Sequence, residues 1–179
     1  LMTVLDRLAW PFEKYIPNYF VNRGIARAMN FITERLNGED GLGGIFPAMA
    51  NALMAFDALG IPKDHPNVIT ARKAIEKLLI FQDDEAYCQP CLSPVWDTGL
   101  AAHAMLEADK ASGPHAIEDD TIAKSCNWLE ELQIKDCFGD WAIWRPGIRP
   151  GGWAFQYRND YYPDIDDTAV VAMALHRTG

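Results

Sequence analysis

The sequence predicts an all-α protein whose helices suit a double ring, one ring inside another. Three observations carry this. Apolar residues recur at helical spacing in segment after segment, and no stretch of the 179 residues alternates with period two for long. Amphipathic segments take turns with segments that are small and apolar nearly throughout. That alternation suits an outer ring half exposed and an inner ring buried on both sides. The inner-type segments also repeat. Trp96-Asp97-Thr98-Gly99-Leu100-Ala101-Ala102-His103-Ala104-Met105 aligns with Asp166-Asp167-Thr168-Ala169-Val170-Val171-Ala172-Met173-Ala174-Leu175 at an offset of 70, and Ala50-Asn51-Ala52-Leu53-Met54 echoes Ala102-His103-Ala104-Met105-Leu106 at an offset of 52.

Leu1 to Phe20 is aromatic and apolar with few charges, and Pro11 and Pro17 are expected to keep a long helix from running through it. It is a packed connection, or a surface whose Trp and Tyr suit a membrane interface. Arg23 to Leu36 is amphipathic, with Ile25, Ala28, Met29, Ile32 and Leu36 on one face. Asn37 to Gly44 is a glycine-rich turn. Pro47 to Leu59 is apolar enough to be buried on most sides, and Gly60-Ile61-Pro62 stops it. Pro66 to Phe81 is an outer helix, and Asp97 to Ala108 an inner one ended by Ser112-Gly113-Pro114. Ile117 to Leu132 is outer again. Cys137 to Tyr162 is an aromatic and glycine-rich connection, and Asp166 to Arg177 is a third inner helix.

The formal charge of −9 argues against nucleic acid, which selects basic patches. No apolar run reaches the roughly 18 residues that a spanning helix needs. Cys88-Gln89-Pro90-Cys91 lacks both the preceding strand of a redox site and the second pair of a zinc site. With Cys126 and Cys137 these residues read as reduced structural thiols, and no metal or cofactor is expected.

The chemistry concentrates at Tyr161-Tyr162-Pro163-Asp164-Ile165-Asp166-Asp167-Thr168. Three carboxylates stand within four residues at a helix start. Such a cluster is ordinarily a cap and a solvated first turn. Here Gly151-Gly152-Trp153-Ala154-Phe155-Gln156-Tyr157 runs directly upstream, which suggests a greasy pocket ending in a proton donor. Crowded carboxylates hold protons that a lone one loses, because like charges oppose ionisation.

Asp164-Ile165-Asp166-Asp167 matches the DxDD motif of class II terpene cyclases. With the Gly151–Val171 run and Ser93-Pro94-Val95-Trp96-Asp97-Thr98-Gly99-Leu100, the chain resembles squalene–hopene cyclases over essentially its whole length. The resemblance implies an internal piece of a longer chain. Residues 1–92 would end one α-α barrel, and 93–179 would open the catalytic barrel. It implies polycyclisation of squalene to hopene or hopanol, with Asp166 donating the proton, Asp164 and Asp167 tuning it, and Asp97 joining the cluster supported by Ser93. Trp96 and Phe155, and with them Trp153, Tyr161 and Tyr162, would stabilise the cations by their ring faces. The family pairs its central Asp with a histidine well downstream. His176, only ten residues beyond the motif, does not match it, and His65, His103, His115 and His176 read as surface or packing residues.

Gln133, Gly139 and Trp141 resemble the family's QW motif. The Gln can bond helix-terminal amides while the Trp stacks over it. Arg27 to Gly44 looks like a degenerate copy. Phe46 stands where some members carry a Gln that places the quenching water, which leaves the product spectrum open. The family also implies peripheral contact with one membrane leaflet, on the cytoplasmic side of a bacterium, and a possible homodimer. The piece alone is expected to be inactive. Three other readings stay open: a class II diterpene cyclase sharing DxDD, an inverting glycosidase-like α-α barrel using Asp97 and Asp166, and a non-catalytic helical repeat.

Overall fold

Seven α helices and one small hairpin dominate the computed structural model, which describes residues 2–13, 15–113 and 119–178. The chain is therefore all-α apart from the hairpin. It forms two compact units, Leu1–Glu34 and Arg35–Gly179. The expected start of the Ile117 helix and His115 fall outside the described residues.

The first unit holds α1 (Met2–Glu13) and most of α2 (Asn18–Arg35). Here the sequence expectation needs correction, because Pro11 lies inside α1 rather than ending it. Pro11 is in the last turn, so few residues come after it to be thrown off axis. Pro17 does separate the two helices. Its carbonyl accepts from Phe20 N at 2.9 Å and Val21 N at 3.4 Å, so α2 winds from it. No residue of α2 is buried, and Leu8, Trp10, Phe12, Tyr15, Tyr19 and Phe20 are all exposed.

In the second unit, α3 (Phe46–Ala58) and α4 (Pro66–Lys77) form an antiparallel pair around Gly60, whose positive φ ends α3. Each buries one stripe, Met49, Ala52 and Phe56 at i, i+3, i+7 against Val68, Ala71 and Ala74 at i, i+3, i+6, the spacings of a helix face. His65 caps α4, its Nδ1 accepting from Asn67 N at 3.2 Å. The glycine-rich turn lies over this pair. Asn37 Oδ1 accepts from Glu39 N and Asp40 N, and at Gly41 an added Cβ would stand 2.5 Å from Ala74 Cβ.

The outer helix expected to run to Phe81 stops at Lys77. Strand β1 (Leu79–Gln82) comes next, and it pairs antiparallel with β2 (Glu85–Cys88) across Asp83-Asp84. Asp83 takes φ 42°, a conformation Asp tolerates in tight turns.

The larger core joins α5 (Pro94–Ser112), α6 (Asp119–Glu131) and α7 (Ile165–Thr178). Val95, Leu129, Trp153 and Val171 are buried together, with Trp128, Leu132 and Leu175 packed against them. Gly99 lets α5 and α7 meet, since a Cβ there would stand 2.9 Å from Val170 Cγ1. Further along, His103 Nε2 lies 3.0 Å from Val170 O, and Glu107 pairs with Arg177. Contacts advance in the same direction on both helices, so α5 and α7 run parallel with their first turns level. The residue offset across this interface is close to that of the sequence repeat.

The expectation that inner helices bury both sides is not met within the described residues. Helices α3, α5 and α7 each have neighbours along one stripe only, so Met54, Leu100 and Met173 remain exposed.

Candidate active site

The acid-bearing turn is built from its own sequence. Pro163 biases Tyr162 toward extended backbone and so keeps the helix from starting earlier. Asp164 then caps α7. Its Oδ1 accepts from Asp166 N at 2.7 Å and Asp167 N at 3.4 Å, and its carbonyl accepts from Thr168 N at 3.1 Å. The Gly152–Trp153 segment holds this turn from the side. Asp164 N donates to Trp153 O at 2.8 Å, and Trp153 N donates to Thr168 Oγ1 at 3.0 Å. Gly152 is required there, because a Cβ would fall 2.7 Å from Thr168 Oγ1. The two most distinctive stretches of the sequence thus fold against each other.

The three carboxyls have different surroundings. Asp164 is exposed and committed to the cap. Asp166 is exposed, and no hydrogen bond from the described residues reaches its carboxyl. Asp167 is 2% exposed, and its Oδ1 has no hydrogen-bond partner among the described residues. Burial, then the neighbouring charges of Asp164 and Asp166, push the Asp167 carboxyl up to about 6. Asp97 occupies the equivalent first turn of α5, exposed, and accepts a 2.8 Å hydrogen bond from Ser93 Oγ. Parallel packing of α5 and α7 puts Asp97 and the DxDD turn at the same end of the helix pair.

Aromatic candidates divide by environment. Trp96 and Phe155 are half-buried. Trp153 is a core residue, 5% exposed, with its indole N–H donating to Leu129 O at 2.6 Å, so the structure gives it a packing role. Tyr161 and Tyr162 gather around Arg35. The guanidinium lies 4.4 Å from the Tyr161 ring centroid, its Nε donates to Tyr162 Oη at 3.2 Å, and it pairs with Asp140. An apolar cavity of about 480 Å³ flanks the start of α7, lined by Trp141, Ile148, Pro163, Asp164, Ile165 and Ala169 among others.

Gln133 departs from expectation. Its side-chain amide donates to Gly151 O at 2.8 Å instead of bonding helix-terminal amides, so it braces the segment beside the acid turn. Gly139 is pressed against the Tyr161 carbonyl, and a Cβ would stand 2.1 Å from that oxygen. Trp141 tilts against Phe138 at 6.2 Å, with its indole nitrogen buried and unpartnered among the described residues. His103 is tied to Val170 and Arg177, and His176 is exposed. Phe46 opens α3 and is 38% exposed, its N–H donating to Pro90 O. Sequence reasoning missed Arg35 and Asp140. Their only signal was polarity at helix ends, which is shared by many surface residues.

A family model described as the squalene-hopene cyclase N-terminal domain matches residues 1–84, and one described as the C-terminal domain of the same family matches 92–179. The chain is 53% identical over 181 residues to a squalene–hopene cyclase of Zymomonas mobilis, covering 98% of this chain and 27% of the relative. It is 48% identical over 177 residues to one from Schizosaccharomyces japonicus, covering 97% and 27%. It is 50% identical over 184 residues to one from Bradyrhizobium diazoefficiens, covering 99% and 26%. The chain thus spans about a quarter of the length of these relatives. With both domain models matched in order, and with the DxDD turn held as described, the chain belongs to the squalene–hopene cyclase family.

Proposed function

We propose that this chain supplies the acid turn of an enzyme that cyclises squalene to hopene-type products by protonating a terminal alkene. The observation that carries the reading is the division of labour among the three carboxyls. Asp164 is occupied by the cap, and Asp167 is buried with a raised pKa. Asp166 alone has a carboxyl both exposed and unengaged by the described residues. It is therefore the group that can touch a substrate, while buried Asp167 keeps a proton in the cluster. Asp97, oriented by Ser93, joins from the parallel helix. Trp96 and Phe155 offer ring faces to the migrating cation, which they attract without forming a bond. The barrel boundary is proposed between Leu92 and Ser93.

Substitution tests this directly. Asp166→Asn in the full-length gene product should cut squalene turnover by about 1,000-fold, the scale of removing a general acid, with helical circular dichroism unchanged. Wild-type turnover by that variant refutes the assignment.

Squalene must be drawn from lipid, and the first unit exposes Leu8, Trp10, Phe12, Tyr15, Tyr19 and Phe20. No helix among the described residues is long and apolar enough to cross a membrane. We read this unit as a contact with one leaflet. Trp10→Glu with Phe12→Glu should abolish flotation on phosphatidylcholine liposomes. Unchanged flotation would move the contact elsewhere.

A further inference from the structure

We propose that Arg35 is a positioning residue for the acid turn, acting through Tyr161, Tyr162 and Asp140. This rests on the reading of Asp166 as the proton donor. Arg35 is far from DxDD in sequence, yet its guanidinium makes three contacts that converge just before the motif. One plane covers the Tyr161 ring, Nε donates to Tyr162 Oη, and a terminal nitrogen pairs with Asp140 Oδ1. Only 9% of the Arg35 side-chain surface is exposed. Asp140 is itself tied to the same segment, its N–H donating to Tyr161 O at 3.3 Å, and Gly139 closes on that carbonyl with no room for a side chain. Tyr162 N donates to Asn159 O at 2.9 Å. Tyr161 and Tyr162 are thus held by backbone, ring and hydroxyl at once.

The next two residues have little freedom. Pro163 fixes its own φ, and Asp164 is pinned by Trp153 O on one side and by the first turn of α7 on the other. A shift at Tyr162 therefore passes through Pro163 to Asp164 and then to the Asp166 and Asp167 amides bonded to Asp164 Oδ1. The ion pair is a firm one. Burial alone would push the Asp140 carboxyl up, but hydrogen bonds from Arg35 and Tyr162 hold it below its ordinary range. Lysine cannot replace this arrangement, because the planar fork makes the stacking and the two directed bonds together.

Alkene protonation makes the consequence measurable. An alkene carbon is a far weaker base than an epoxide oxygen, so a slightly misplaced acid should penalise squalene more than 2,3-oxidosqualene. In the full-length gene product, Arg35→Lys and Arg35→Met should lower kcat on squalene by about 10- to 100-fold, the scale of an ångström of misplacement. KM should stay within about threefold, and the loss on the epoxide should be smaller. Tyr162→Phe, which removes the hydroxyl that Arg35 and Asp140 share but leaves the ion pair and the Tyr161 stacking, should give an intermediate loss. Equal losses on both substrates would overturn the proposal, as would losses that simply track a lowered unfolding midpoint.

A second arm needs no turnover. Hydrogen exchange at the Asp166 and Asp167 amides should quicken by about tenfold or more in Arg35→Met, a local opening, with amides of α5 and α6 unchanged. Unchanged exchange at that turn overturns the positioning role. Wild-type protein inactive on squalene overturns the acid reading instead, and the exchange arm still decides whether Arg35 holds the turn.

Discussion

Asp167 is a carboxyl whose neighbours oppose its ionisation, and that has a pH signature. Its folded pKa of about 6 stands above the ordinary 3.8. The native state therefore binds more protons than the unfolded chain between those values, and the stability tied to this group is complete below 3.8 and lost as pH rises through 6. Asp167→Asn should remove that decline, leaving the variant more stable than wild type above pH 6 by about 1–2 kcal/mol once solvent screening is discounted. Denaturant titrations at about pH 3 and about pH 7.5, on either side of that window, measure it. A parallel decline in both proteins would show that the charge is tolerated. Trp153 makes the complementary case. Trp153→Phe keeps most of the ring but removes the indole bond to the Leu129 carbonyl, which retains the 3.2 Å bond from Leu132 N, so the loss should be about 0.5–1.5 kcal/mol. Its motif membership made it a cation-stabilising candidate, and its packing against Leu129 of α6 is a contact that no local pattern reveals.

At the scale of elements, the close approach of α5 and α7 turns on Gly99. Gly99→Ala gains helix propensity, worth about 1 kcal/mol, but its methyl would stand 2.9 Å from Val170 Cγ1. Overpacking of this kind costs about 1–3 kcal/mol, so a net loss is expected. Val170→Ala in the same chain should recover part of it, a coupling that a double-mutant cycle reads from unfolding midpoints. Much of this level was legible beforehand. Apolar spacing located α3 to α7 to within a few residues at most described ends, and the Asp-Thr repeat anticipated the pairing of α5 with α7. The hairpin was not legible, because Leu79-Ile80-Phe81-Gln82 continues the apolar pattern of α4 and only the Asp83-Asp84 turn marks the reversal. Helix α1 was missed because proline is penalised in a helix interior and far less near its end. The Arg35 cluster was invisible because it joins the end of α2 to a connection more than a hundred residues later.

For the molecule as a whole, the exposed faces of α3, α5 and α7 matter most. Asp166 and Asp97 are open to solvent in this chain, whereas protonating an alkene needs a site from which water is excluded. The 179 residues on their own should therefore show no squalene turnover, measured by product chromatography, and turnover would show that this chain suffices. Met54, Leu100 and Met173 should bind an apolar dye until they are covered. The parallel course of α5 and α7 has one more consequence. Each helix carries about half a positive charge at its N-terminus through its aligned peptide dipoles. Level first turns aim both at the patch that holds Asp97 and Asp166. A carboxylate left behind when a proton departs meets this combined field, which offsets the mutual repulsion of the acids. In the proposed reaction backbone direction would ease the proton's release from Asp166, so the strength of the acid would be written partly in which way two helices run.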